Sequence, residues 1–173
     1  MSKKFEFKII SCEDLDLIKP LWKNLKDHHT NISPHFQEKY QTINFEDRKE
    51  ELLKKSSRCN MRVEVVSDCD KDCFVGYCIS SISDEGKGEI DSIYLEKKYR
   101  KLGLGKEMVK RAIAWMESQD TDELKIVVAV GNEDLLPFYS SFNFFPDILS
   151  WKRRKRNRLG KEACGSTNYN SIP

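Results

Sequence analysis

Arg100-Lys101-Leu102-Gly103-Leu104-Gly105-Lys106 gathers three cations and two glycines into one short stretch. It separates an apolar run, Glu89 to Leu95, from a strongly helical run that starts near Gly105. A strand, a glycine-bearing turn and a helix start make an anion site. Unpaired backbone N–H groups point outward there, and the helix dipole adds partial positive charge. Glycine lacks a Cβ, so a phosphate can approach the backbone closely. The bland alternative is a tight turn with no ligand. A Walker A loop would need Ser or Thr after its lysine, and Glu107 follows Lys106. A dinucleotide fingerprint would need a third glycine, and Val109 and Lys110 stand in that region. Upstream, Glu89 and Asp91 would share one side of an unbulged strand. Two close carboxylates raise one pKa toward neutrality and attract cations. They also fit a solvated strand start beside Gly88.

These residues need elements to position them. Phe5 to Ile10 alternates as a strand, and Ser11 followed by Asp14 resembles a helix cap. Leu15, Ile18, Leu21, Trp22 and Leu25 recur at helical spacing, with Pro20 expected to kink or divide the helix. His28 to Gln41, with Pro34, reads as irregular, and Asn44 starts a second helix to about Lys55. Met61–Ser67 and Phe74–Ser83 read as strands, and the turn Asp84 to Gly88 makes Glu89–Leu95 the next hairpin partner. Leu104, Met108, Ala112, Trp115 and Met116 form one helical stripe. Leu124 to Val130 is apolar and β-branched, so a buried strand is expected. Leu135 to Phe142 reads as a short helix and Ile148 to Lys152 as a last strand. The order predicts an α/β fold: a mixed, mostly antiparallel sheet with helices on its faces. A single domain over residues 1–158 and a flexible tail over 159–173 are expected.

Composition narrows the class. The chain has 173 residues, 39% hydrophobic and 34% charged, with a net charge of +2. That suits one domain with a core and a charged surface, with no global field for nucleic acid. No apolar run approaches the ~20 residues of a membrane span. The six cysteines include no Cys-x-x-Cys, and the start does not read as a signal peptide. Free thiols in a reducing cytoplasm are the expectation.

The run Glu89 to Gly105 resembles the signature of the GNAT superfamily of N-acetyltransferases, Arg/Gln-x-x-Gly-x-Gly/Ala after a core strand. Arg100, Gly103 and Gly105 match it. Downstream, Asn132, Phe138-Tyr139 and Phe144 are similar to the family's Asn…Phe-Tyr-x-x-x-Gly-Phe segment, with Asn143 where glycine is usual. Asn tolerates positive φ, so that turn can survive. The resemblance implies the GNAT fold with a splayed strand pair. It implies acetyl-CoA as co-substrate, no metal, and a primary amine attacking directly in a ternary complex. It also implies that Ile93, Tyr94 and Leu95 line pantetheine through backbone groups. Arg100, Lys101, Leu102, Gly103, Leu104, Gly105 and Lys106 would cradle the pyrophosphate, and Asn132 would bond the pantetheine arm or orient the helix of Tyr139.

Amide formation needs a neutral amine, yet an alkylamine of pKa ~10.4 is neutral in about one molecule per thousand at neutral pH. A base must take the proton. Glu89, eleven residues before Arg100, is the candidate, with Asp91 or water as alternatives. Tyr139 is the candidate acid at the leaving sulfur, and the Leu95 N–H is the natural donor to the carbonyl oxygen. The expected partner is a small-molecule or peptide amine. A homodimer stays open, and membrane contact is not expected. Glu89, Asp91, Asp84 and Glu85 hint at a cationic acceptor. His28, His29 and His35 read as surface or loop residues, with His35 and Phe36 as candidate lining of the acceptor pocket. The basic run Lys152–Arg158 has no aromatic interleaving, which disfavours nucleic acid. A silent acetyl-CoA-binding module is the competing reading.

Overall fold

In the computed structural model, which describes residues 4–148 and 150, five strands form one sheet in chain order. They are β1 (Phe5–Ile10), β2 (Cys59–Asp68), β3 (Cys73–Ser83), β4 (Lys87–Leu95) and β5 (Glu123–Ile126). The first four pair antiparallel, and β4 pairs with β5 in parallel. A parallel pair needs a crossover, and α4 (Leu104–Glu117) supplies it.

Ser11 caps a 3-10 turn over Cys12–Ile18 by accepting from the Glu13 N–H. The turn runs into α1 (Lys19–Ile32), whose first turn holds Pro20, so the proline divides the segment where it costs no hydrogen bond. The expected irregular stretch from His28 needs correction. Helix α1 continues through His28 and His29, and a short α2 (Gln37–Thr42) follows. Asn44 caps α3 (Phe45–Ser56) by accepting from the Asp47 N–H at 2.8 Å.

Two cores sandwich the sheet. On one face Leu15, Ile18, Trp22, Phe45 and Leu52 cover Val63, Val65, Tyr77, Ile79 and Tyr94. On the other, the expected stripe of α4 covers Val66, Val75, Cys78, Ile82 and Ile90. Strand β4 serves both faces through a bulge. Ile90 pairs with Ser80 and Ser92 with Ile79, so Asp91 is the inserted residue. The insertion switches parity: Ile90, Ile93 and Leu95 pack on the α4 side, whereas Tyr94 joins the α1/α3 core.

Strand β5 ends sooner than the apolar run predicted. Its pairing with β4 covers only Lys87↔Glu123 to Ile90↔Ile126, and Val127 and Val130 are exposed. Past Ile126 the chain leaves the sheet, then makes a 3-10 turn, Glu133–Leu135, and α5 (Leu136–Ser140). The expected last strand and the tail lie essentially outside the described residues, as does the basic run Lys152–Arg158. Ile148, which is described, is exposed and not in a strand.

Candidate functional site

The early end of β5 opens a wedge beside β4. Beyond Ile90, the backbone edge of β4 that faces away from β3 has no strand partner among the described residues. Ile93, Tyr94 and Leu95 lie on this free stretch. The side chain of Tyr94 turns into the α1/α3 core, so toward the wedge it can offer only backbone. Arg100 reaches back, its Nε donating to the Leu95 carbonyl at 3.1 Å.

At the mouth of the wedge lies the turn from Arg100 to Lys106. Gly103 takes φ 82°, a left-handed conformation that glycine adopts without strain, and becomes the N-cap of α4 with no side-chain cap bond. Lys101 is also left-handed, at φ 63°. A Cβ on Gly105 would meet only Leu95 Cδ2, at 3.9 Å, so packing within the protein does not demand glycine there. The space suits a ligand that touches the backbone. Arg100, Lys101 and Lys106 form no salt bridge with any carboxylate among the described residues. Free N–H groups, a helix dipole and three cations unpaired with carboxylates, of which Arg100 is anchored to the Leu95 carbonyl, fit a pyrophosphate. Leu102 is exposed on this turn, and Leu104 is buried in the α4-side core.

Glu89 and Asp91 both face α3, although Asp91 is the bulged residue and the strand is not the regular one expected. There Lys55 Nζ donates to Glu89 Oε2 at 2.8 Å and to Asp91 Oδ1. Burial opposes the charge on Lys55, but the bonds from Asp91 and Glu89 outweigh it and hold its pKa above the usual lysine value. The Asp91 side chain is only 4% exposed, and its Oδ2 has no hydrogen-bond partner. The Arg48 guanidinium donates to the Asp91 backbone carbonyl at 3.2 Å, which ties the bulge to α3.

Tyr139 stands on the opposite face, in the core with Cys78 and Ile90. Burial, and then the field of Cys78, push its pKa up to about 12. Phe138 packs against its ring edge-on, with centroids 5.1 Å apart, and also against Phe142. Asn143 ends this segment at φ 63°, the left-handed turn its place in the motif required. Phe144 N–H donates back to the Tyr139 carbonyl at 3.2 Å. Asn132, almost fully buried, sits where the chain re-enters from the wedge.

The acetyltransferase (GNAT) family model matches residues 22–144. The chain belongs to the GNAT family. No curated protein matches it in sequence. Solved GNAT structures share the fold at low identity. The ribosomal-protein-alanine N-acetyltransferase of Brucella melitensis biovar Abortus 2308 is 16% identical, with TM-score 0.61, over 88% of this chain and 100% of that one. AAC(6')-Iy, in complex with the bisubstrate analogue CoA-S-monomethyl-acetylneamine, is 14% identical, with TM-score 0.58, over 89% and 99%. Glucosamine-6-phosphate N-acetyltransferase of Arabidopsis thaliana is 13% identical, with TM-score 0.59, over 88% and 99%.

On this GNAT frame the predicted site residues fall into two groups. Ile93 to Lys106 and Tyr139 gather around the wedge and its α4 side, while Asn132, on the segment after β5, touches α1 through His28. Glu89 lies on the α3 side, one residue before the last paired position of β4. Sequence reasoning missed two neighbours. Lys55 reaches Glu89 from 34 residues away. His28 Nε2 lies 2.9 Å from Asn132 Oδ1, linking α1 to the segment after β5. The same approach is so close at Gly131 that a Cβ would lie 2.4 Å from the Ile32 carbonyl oxygen. Burial, and then the field of His28, hold His29 below the usual histidine range. His35 and Phe36 lie between α1 and α2, outside both groups. Among the described residues no cluster of three or more His, Cys, Asp or Glu could hold a metal, and no helix is long and apolar enough to cross a membrane.

Proposed function

We propose that this chain transfers the acetyl group of acetyl-CoA to a primary amine by direct attack in a ternary complex. One observation carries the reading. The wedge beside β4 has a cationic, glycine-bearing helix start at its mouth, with the Glu89 carboxylate on one face of the sheet and the protonated Tyr139 on the other. The donor's pyrophosphate would rest on Gly103–Lys106 and its pantetheine along Ile93–Leu95. Asn132, already in place through His28, would meet the pantetheine arm.

The amine would approach from the α3 side. Glu89, with one oxygen bonded to Lys55, keeps its other oxygen to accept the ammonium proton, directly or through water. The neutral nitrogen then attacks the thioester carbon, the C–S bond breaks as the carbonyl re-forms, and the second proton shed by the amide nitrogen passes to the departing CoA thiolate, directly or through water. The Leu95 N–H would donate to the carbonyl oxygen as charge develops. Tyr139 remains protonated throughout the neutral range. Full proton transfer from a group near 12 to a thiolate of pKa ~8.5 would run uphill by roughly three units. Tyr139 therefore serves the leaving sulfur mainly as a hydrogen-bond donor.

A second reading is a silent acetyl-CoA-binding module, and Lys55 is the observation in its favour, since it occupies both carboxylates. The two readings separate in one experiment. Acetyl-CoA should raise the melting temperature and be consumed when a panel of amines is supplied. Binding without consumption favours the silent module, and neither effect removes both.

A further inference from the structure

We infer that the acceptor is a small amphoteric molecule, with a carboxylate or phosphate a few bonds from its amine. The inference rests on the acetyltransferase reading and concerns the α3 side of the same site. There a depression of about 480 Å³ opens between the end of α3, the β3–β4 turn and the paired ends of β4 and β5. Glu89 is part of its wall, as are Lys55, Arg58, Asp84, Glu123 and Lys125.

The four acids read from the sequence suggested a cationic acceptor, but structure removes much of that field. Lys55 binds Glu89 and Asp91, and Lys87 binds Glu85 at 3.1 Å. Arg58, Lys125, Asp84 and Glu123 are left with no salt bridge among the described residues. The wall thus offers uncommitted charge of both signs. A simple polyamine could answer Asp84 and Glu123 but would leave Arg58 and Lys125 unanswered. An amphoteric molecule would satisfy both signs.

Register fixes the spacing. Lys125 is the β5 partner of Glu89, and neighbouring strands lie about 4.8 Å apart. Paired residues project to the same face, and in β5 Lys125 is exposed while Leu124 and Ile126 pack into the other core. An anion held by Lys125 would therefore lie within reach of an amine at Glu89. Arg58, at the turn after α3, can close on the same anion from the opposite wall. Its guanidinium suits two-oxygen recognition of carboxylate or phosphate.

The test uses matched amines with the full-length protein and acetyl-CoA. β-Alanine is compared with β-alaninamide, phosphoethanolamine with ethanolamine, and glucosamine 6-phosphate with glucosamine, each pair at equal neutral-amine fraction. The anionic member of at least one pair should have a kcat/KM at least tenfold higher, and the responding pairs distinguish carboxylate from phosphate. The double variant Arg58→Ala/Lys125→Ala should bring that ratio close to one by raising KM for the anionic member. Arg58→Lys/Lys125→Arg should retain most of it. Equal or preferred turnover of the members that lack the anion, or a ratio unmoved in the double alanine variant, overturns the inference and leaves the acetyltransferase reading standing. Binding of acetyl-CoA with no turnover of any member overturns both.

Discussion

In the proposed reaction the turn at Arg100–Lys106 would hold the donor and the depression beside Glu89 the acceptor, and the two are built differently. The turn is a contiguous stretch whose binding groups are mostly backbone N–H, so its requirements are written as glycine and charge at fixed spacing. The depression takes its walls from α3, the β3–β4 turn, β4 and β5, and its chemistry depends on which charges neutralise one another. The donor grip can therefore persist while the acceptor side varies by single surface residues. Solved structures of the same fold carry names as different as ribosomal-protein-alanine and glucosamine-6-phosphate N-acetyltransferase.

Substitutions on either side should separate these functions. Glu89→Gln should have the largest effect. It should lower kcat about a thousandfold, while acetyl-CoA affinity by calorimetry changes less than about twofold. A comparable loss of donor affinity would break the division between the two regions.

Lys55→Met should strand the nearly buried Asp91 carboxylate. The pair is partly open to water, so the expected loss is about 2 kcal/mol in urea unfolding, between an exposed and a buried pair. The folded-state pKa of Lys55 lies above its unfolded value. Its stabilisation is therefore fully present below the ordinary lysine pKa of ~10.4 and is lost as pH rises through the raised value. The variant should lack that alkaline decline.

Tyr139→Phe should lower kcat about tenfold with donor affinity retained, as expected for one lost hydrogen bond to developing charge. Because burial raises the Tyr139 pKa to about 12, the wild-type rate should show no alkaline limb from this residue below about pH 10. His28→Ala should have the smallest effect, about a threefold rise in KM for acetyl-CoA with kcat unchanged, through the lost contact to Asn132. An unchanged KM would detach Asn132 from the donor side.

What the sequence reveals follows the same division. Asn143 was readable because a left-handed backbone restricts residue type, Asn44 because helix starts do, and Pro20 because it divides a helical run. The length of β5 was not readable. Val127 and Val130 belong to the same β-branched run as Ile126, yet they leave the sheet to open the wedge. The end of α1 was hidden because His28, His29, Thr30 and Asn31 carry no apolar period and Pro34 follows closely. The bulge at Asp91 and the reach of Lys55 across 34 residues arise only from tertiary pairing.

The central claim is that the turn holds the donor, and Gly105 tests it most directly. A Cβ there meets only Leu95 Cδ2, at 3.9 Å, so Gly105→Val should keep the fold and its melting temperature within a few degrees. Calorimetric titration of acetyl-CoA should give saturable one-to-one binding to the wild type and at least about a hundredfold weaker binding to Gly105→Val. Equal affinity in the two proteins, or no binding to the wild type, would contradict the account.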